Sequence, residues 1–208
     1  MTTLSGCLFI ISAPSGTGKT SLVKALLAAD SQLNLSISHT SRPPRSSEVN
    51  GRDYHFVSQT NFKQMEQHGD FLESAEVYGN FYGTSQKWIN ETINTGHDIL
   101  LEIDCQGAAQ VLRHFPQSIN IFILPPSPET LASRLNTRGQ DDPDVIKKRL
   151  AAAREEVNHI NEFDYVIINK EIDDALKDLT SIVRSERLKL TRQLVNHDKL
   201  ISELKDFP

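Results

Sequence analysis

The chain has 208 residues, with 22 Lys and Arg against 27 Asp and Glu, for a formal net charge of −5. Hydrophobic residues make up 38% and charged residues 24%, a composition that excludes a disordered chain and a membrane protein, and no apolar run approaches the length of a bilayer span. The acidic balance argues against a nucleic-acid surface. The length suits one sizeable core, or a core with inserted lobes. The first residues, Met-Thr-Thr-Leu-Ser-Gly, lack the basic region and long apolar segment of a secretory signal, so a cytoplasmic location without a membrane partner is expected. Cys7 and Cys105 are too few and too scattered for a metal site or a disulfide framework, and both flank apolar runs as small core thiols.

Leu8-Phe9-Ile10-Ile11 is the first apolar run and reads as a strand. Residues 13–20, APSGTGKT, follow it and lead into an amphipathic helix over Lys19–Ala29, with Leu22, Leu26 and Leu27 turned inward. Strand, glycine-bearing turn and helix start are the order a phosphate-binding P-loop requires. Successive backbone N–H groups converge on an anion there, and the helix N-terminus adds its positive dipole end. Lys19 would reach the outer phosphates, and the Thr20 hydroxyl would take a Mg²⁺ position. The general pattern opens on glycine where this chain has Ala13, and a methyl group is tolerable only if that residue needs no positive φ.

A polar segment over 36–51 contains Pro43-Pro44 and Asn50-Gly51, turn signals that exclude a helix interior, and His39 within it reads as a loop residue. Residues 54–57 read as a short strand, and 58–69 as a helix with a serine N-cap and a glycine stop. Alternating apolar residues over 71–82, interrupted by Gly79-Asn80, predict a hairpin, and a further helix is expected over 85–95, ending at Gly96. Residues 98–104 form a buried strand terminating in carboxylates, Glu102 and Asp104, which point to one face. Gln106-Gly107 begins the next helix. Apolar runs at 119–124 and 165–168 add two more strands. Between them lies an arginine-rich helical region, 128–160. Ile172, Leu176, Leu179, Ile182 and Val183 give the last long helix one apolar stripe. Leu190, Leu194, Ile201 and Leu204 on a C-terminal helix dock either on the core or on another subunit, which leaves a homo-oligomer open. Strands separated by helices imply an α/β fold, a P-loop NTPase parallel sheet flanked by helices, with polar excursions over about 38–97 and 127–158.

The stretches SAPSGTGKTSL, SISHTSRPPRSSEVNGRDYHFVS, FLESAEVYGNFYGTS, LEIDCQGA and PPSPETLASRLNTRG resemble guanylate kinase, in order and with appropriate spacing, from about residue 7 to residue 169. The resemblance implies ATP-dependent conversion of GMP and dGMP to the diphosphate with Mg²⁺. It also implies a core (1–37, 98–126 and 159–208), an inserted GMP-binding lobe (38–97) and a helical lid (127–158). On the donor side it assigns ATP binding to Ala13, Pro14, Ser15, Gly16, Thr17, Gly18, Lys19 and Thr20, with Asn169 near the adenine.

Guanidinium forks bind a doubly charged phosphate bidentately, which lysine cannot do. By similarity Arg42 and Arg45 grip the GMP phosphate, and Tyr54 and Tyr82 complete the cradle. Guanine offers N1–H and N2 amine donors, whose natural partner is an ionised carboxylate; Glu73 matches that position. Ser38 and Thr84 supply hydroxyls toward O6, and Gly83 belongs to the same GMP-binding set. Asp104 resembles the acidic residue that orients water on Mg²⁺, and Glu102 falls beside it in the same set. Arg134, Arg138 and Arg149 match lid arginines able to stabilise a transferring phosphoryl group. No serine or cysteine nucleophile and no strong general base are required. Scaffold proteins carry similar domains that bind peptides, generally with degraded P-loops; here Gly18, Lys19 and Thr20 are all present.

Overall fold

The structure, a computed structural model, describes residues 6–137 and 143–207. Its first strand, β1 (Leu8–Ser12), runs into the glycine turn and helix α1 (Lys19–Ala29), then β2 (Leu33–Leu35). Two short strands, β3 (His39–Thr40) and β4 (His55–Phe56), precede α2 (Gln59–His68). The hairpin β5 (Phe71–Val77) and β6 (Asn80–Ser85) leads into α3 (Gln86–Asn94), β7 (Asp98–Glu102), α4 (Cys105–His114) and β8 (Ile119–Leu124). After them come α5 (Pro128–Thr137), α6 (Pro143–Asn158), a 3-10 turn (Ile160–Glu162), β9 (Tyr165–Ile168) and α7 (Ile172–Arg187). Two short helices follow, α8 (Leu190–Asn196) and α9 (Asp198–Lys205).

Five strands form one sheet in the order β2-β7-β1-β8-β9, and every pairing is parallel. The alternation along β1 shows how it is held. Phe9 and Ile11 enter a cluster with Leu22 and Leu26 of α1 and with Leu179 and Val183 of α7. Leu8 and Ile10 enter a second cluster with Ile89 and Ile93 of α3 and Val111 of α4. Each full burial of such a side chain is worth roughly 1.5–3 kcal/mol, and a strand covered on both faces must be apolar throughout.

A separate four-stranded sheet, β4-β3-β6-β5, is assembled from 39–85. Its helix α2 is bounded as the sequence signals: Ser58 Oγ accepts the Asn61 N–H at 3.1 Å, and Gly69 closes the helix at φ 74°. The hairpin contains a register shift between Phe71 and Glu73. That irregularity lets two consecutive residues be buried, Leu72 in the core cluster with α3 and Glu73 at 4% exposure. On the other side of the core, α5 and α6 share a small cluster of Leu131, Leu135, Leu150 and Ala153.

Several expectations are corrected. β2 falls in a stretch to which the sequence reading assigns no element, β3 falls inside the segment read as polar turn, and His39 is a strand residue, its ring stacked on His55 at 4.7 Å. Asp104 does not end the strand: β7 stops at Glu102, and Asp104 is the N-cap of α4, which begins at Cys105. Ile172 leaves the apolar stripe of α7 at 43% exposure. The C-terminal helix is two helices, and Leu190, Leu194 and Leu204 remain exposed instead of docking on the core. Both cysteines are buried and free, as expected.

Candidate active site

A cleft of about 260 Å³ opens at the carboxyl edge of the parallel sheet, with the P-loop at one end and the second sheet at the other. Open α/β sheets gather ligands at this edge. Gly16 and Gly18 hold φ of 93° and 92°, a conformation that L side chains rarely adopt. A Cβ on Gly16 would lie 2.8 Å from Leu135 Cδ2, and one on Gly18 would lie 2.6 Å from Asn169 Nδ2. The loop is therefore gripped closely from outside. Ala13 is buried and is not among the residues with positive φ, which explains why a methyl group is accepted there. Lys19 reaches along the cleft, its Nζ donating to Ile103 O at 2.9 Å.

The Thr20 hydroxyl donates to Glu102 Oε1 at 2.5 Å. Asp104 Oδ1 accepts the Gly107 N–H at 2.8 Å, so the carboxylate that caps α4 also lines the cleft. A hydroxyl and two carboxylates form an all-oxygen donor set that suits a hard cation such as Mg²⁺. Among the described residues no cluster of three or more His, Cys, Asp or Glu forms a metal cage. Most of the cation's ligands would then be phosphate oxygens and waters, the usual coordination of Mg²⁺.

At the opposite end, Glu73 and Thr84 face each other across the hairpin register. Glu73 Oε1 accepts the Thr84 hydroxyl at 2.5 Å, which pairs that hydroxyl with the carboxylate. Glu73 Oε2 lies against the start of α4, where it would be 2.5 Å from a Cβ on Gly107. Burial, and after it the Asp104 charge, push the Glu73 carboxyl up to about 7, against the hydrogen bonds from Thr84. Ser38 lines the same end of the cleft. Gly83 does not line it; a Cβ there would meet the Phe71 ring at 2.9 Å, so this glycine serves packing behind the hairpin.

Tyr54 and Tyr82 meet edge to face, ring centroids 5.9 Å apart, and both line the cleft. Burial first, then the Glu102 charge, push the Tyr54 hydroxyl up to about 12, so it stays a hydrogen-bond donor. The Arg42 guanidinium lies 5.5 Å from the Tyr54 ring centroid. A residue outside the expected set controls it: Glu48 Oε1 accepts from Arg42 Nη2 at 2.8 Å, and Glu48 Oε2 accepts the Arg45 N–H at 2.7 Å. The Arg45 guanidinium is 3.9 Å from Glu48, with 72% of its side chain exposed. The two arginines thus differ, Arg42 held in place and Arg45 extended into solvent.

The lid-region arginines turn out to brace the loop. Arg134 Nη1 donates to Thr17 O and its Nη2 to Asn169 O, both at 3.1 Å. Asn169 Nδ2 donates to the same Thr17 carbonyl at 2.7 Å, which commits its amide nitrogen to the P-loop backbone. Arg149 Nη2 donates to Ser15 Oγ at 2.8 Å. Arg138 lies outside the described residues.

Sequence reasoning passed over three residues here. Glu48 sits three positions after Arg45 in the same turn, a spacing that signals an ion pair. Glu156 lies seven residues after Arg149 on α6 and lines the cleft beside the P-loop; the i,i+7 spacing on a helix was its signal. Tyr78, at φ 50° in the hairpin turn, also lines the cleft, and no sequence pattern marks it.

Comparison with known proteins agrees with this arrangement. A family model described as Guanylate kinase matches residues 5–186. The chain is 59% identical over 197 residues to a guanylate kinase of Nitrosomonas europaea, covering 95% of this chain and 98% of the relative. It is 60% identical over 204 residues to one of Nitrosospira multiformis, covering 98% and 97%. A crystal structure of guanylate kinase from Anaplasma phagocytophilum superposes with a TM-score of 0.77 at 32% identity, covering 92% of each chain. A parallel sheet carrying a P-loop at its carboxyl edge, matched along nearly its whole length by these relatives, places the chain in the guanylate kinase family.

Proposed function

We propose that the chain transfers the γ-phosphoryl group of MgATP to GMP or dGMP, giving ADP and GDP, by direct in-line displacement without a phosphoenzyme. The observation that carries this reading is one cleft with a P-loop at one end and the buried Glu73 carboxylate at the other. In this reading Ala13 through Thr20 enclose the donor phosphates, and Lys19 supplies a point charge on the outer ones. Asn169 and Arg134 keep the loop in shape through the Thr17 carbonyl. Glu73, Ser38 and Thr84 read the guanine. Arg42, Arg45, Tyr54 and Tyr82 hold the acceptor phosphate, whose oxygen is already ionised and needs no general base. Adenine has a bare nitrogen at N1 and would face the Glu73 carboxylate lone pair to lone pair. A site built on such hydrogen bonds rejects the wrong base by about 10⁴-fold.

Thr20 would hold Mg²⁺ directly and Asp104 through water, with Glu102 beside them. When bound, the ion neutralises charge on the transferring phosphates. Arg149, and Arg138 beyond the described residues, would stabilise the transition state once the lid closes. The lobe, core and lid divide at about 38–97 and 127–158, and closure excludes the water that would otherwise hydrolyse ATP. Among the described residues no helix is long and apolar enough to cross a membrane; a cytoplasmic location, with small-molecule partners only, belongs to the same proposal.

Coupled detection of ADP with MgATP and a panel of acceptors tests the reading. GMP and dGMP should support turnover and AMP, CMP and UMP should not. Turnover with AMP equal to that with GMP would refute the assignment of the acceptor.

A further inference from the structure

Helix α6 aims two opposite charges at one residue of the P-loop. Arg149 and Glu156 are seven residues apart and lie on one helical stripe, with Ala153 buried between them against α5. Arg149 donates to the Ser15 hydroxyl at 2.8 Å, while the Ser15 backbone N–H faces the Glu156 carboxylate. The Glu156 Oε2 atom is buried and has no hydrogen-bond partner among the described residues. The position is fixed from behind, since the Glu156 carbonyl accepts from Cys105 Sγ at 3.7 Å.

The charges around this carboxylate are Lys19 of the P-loop, Asp104 at the cap of α4 and His159 at the end of α6, with the Tyr78 hydroxyl of the hairpin tip also within its field. Burial, and then Asp104, oppose its ionisation, raising it to about 7, while Lys19 and the Ser15 N–H favour the charged form. A carboxylate left half satisfied in a buried position costs the fold free energy. It also sits where a P-loop concentrates donors for phosphate.

We propose that Glu156 is a built-in substitute for the outermost phosphoryl group of the donor, resting at the Ser15 end of the P-loop and displaced when a nucleoside triphosphate enters. The inference rests on the P-loop being the donor site. Backbone N–H groups near the helix start hold the inner phosphates, and Lys19 reaches toward the outer ones. Ser15 stands at the opposite end of the turn, next to the terminal one. A diphosphate leaves that end vacant for the carboxylate; a triphosphate does not. Glu156 therefore lowers affinity for the triphosphate selectively. Arg149, on the same helix, is attracted to the group that repels Glu156, so donor entry turns α6 about its own stripe. Glu156 acts on donor selection, as a residue that distinguishes three phosphates from two.

The test uses Glu156→Gln, which keeps the shape and removes the charge, with Glu156→Ala as a second variant. Both are titrated calorimetrically, with Mg²⁺ and without GMP, against ADP and a non-hydrolysable ATP analogue. The expected result is about tenfold tighter binding of the triphosphate in both variants, with ADP affinity changed less than twofold. A structural role alone would move both nucleotides together. Equal changes for the two nucleotides, or weaker triphosphate binding in the glutamine variant, would overturn the inference while leaving the kinase reading intact. Failure of the unmodified chain to bind either nucleotide would overturn both.

Discussion

Replacing Glu73 by glutamine should make the protein more stable and less able to bind GMP. The carboxyl is 4% exposed and is raised from 4.5 to about 7, chiefly by burial. A group that holds its proton more tightly in the folded state contributes stability at low pH and loses it as pH rises through the folded value. At about 1.4 kcal/mol for each pH unit, keeping Glu73 charged above pH 7 costs the fold about 3 kcal/mol. Glutamine carries no charge at any pH, and its carbonyl can still accept the Thr84 hydroxyl that Glu73 takes at 2.5 Å.

Urea unfolding of both proteins between pH 4.5 and 8 reads the difference. The variant should be equal to the parent near pH 4.5 and gain steadily until about pH 7, reaching about 2–3 kcal/mol. Glu156 titrates over a similar range but is present in both proteins and cancels. In the same pair, GMP binding should fall about 10–100-fold, the loss of a hydrogen bond to a charged acceptor. A stability difference independent of pH, or a less stable glutamine variant at pH 8, would show that the carboxylate is not desolvated and refute the reasoning.

Other outcomes follow from the site's division into two ends. Lys19→Ala should abolish turnover and leave GMP binding intact by calorimetry, since Lys19 belongs to the P-loop end of the cleft, where its Nζ donates to Ile103 O; equal loss of GMP binding would contradict this. Glu48→Ala should raise the KM for GMP about tenfold and leave that for ATP unchanged in steady-state kinetics, because it releases Arg42 from the 2.8 Å contact that sets its position. Arg187→Met should destabilise the chain by about 2–3 kcal/mol in chemical denaturation without changing KM for either nucleotide. Arg187 joins Asp30 and Asp98 at 2.6 Å each and does not line the cleft, with 24% of its side chain exposed, so its removal takes the bridging guanidinium from two carboxylates that keep, among the described residues, only backbone N–H donors, Gln32 and Cys7.

The donor end was more legible in the sequence than the acceptor end, for a physical reason. A phosphate-binding turn is local: its glycines, lysine and threonine occupy eight consecutive positions, 13–20, and the flanking strand and helix signal themselves by hydrophobic period. The helices over 59–68 and 86–94 were equally readable because Ser58 and Ser85 cap their own chain a few residues on. Strands β2 and β3 were not, since three and two residues are too short to show a period and owe their form to their neighbours in the sheet. The place of Asp104 was missed because a strand end and a helix cap are separated by one residue, and the same carboxylate suits either.

The P-loop, the strands of the parallel sheet longer than three residues and most of the helices between them follow from sequence alone, because each depends on residues close together in the chain. Only the tertiary structure decided which partners those residues take. It bound Thr84 to Glu73, Glu48 to Arg42 and Asn169 to the Thr17 carbonyl. It also brought Glu156 to the P-loop from more than a hundred residues away. Such partners are chosen by packing across the cleft and by the cost of leaving buried polar atoms unpaired, neither of which has a local signature.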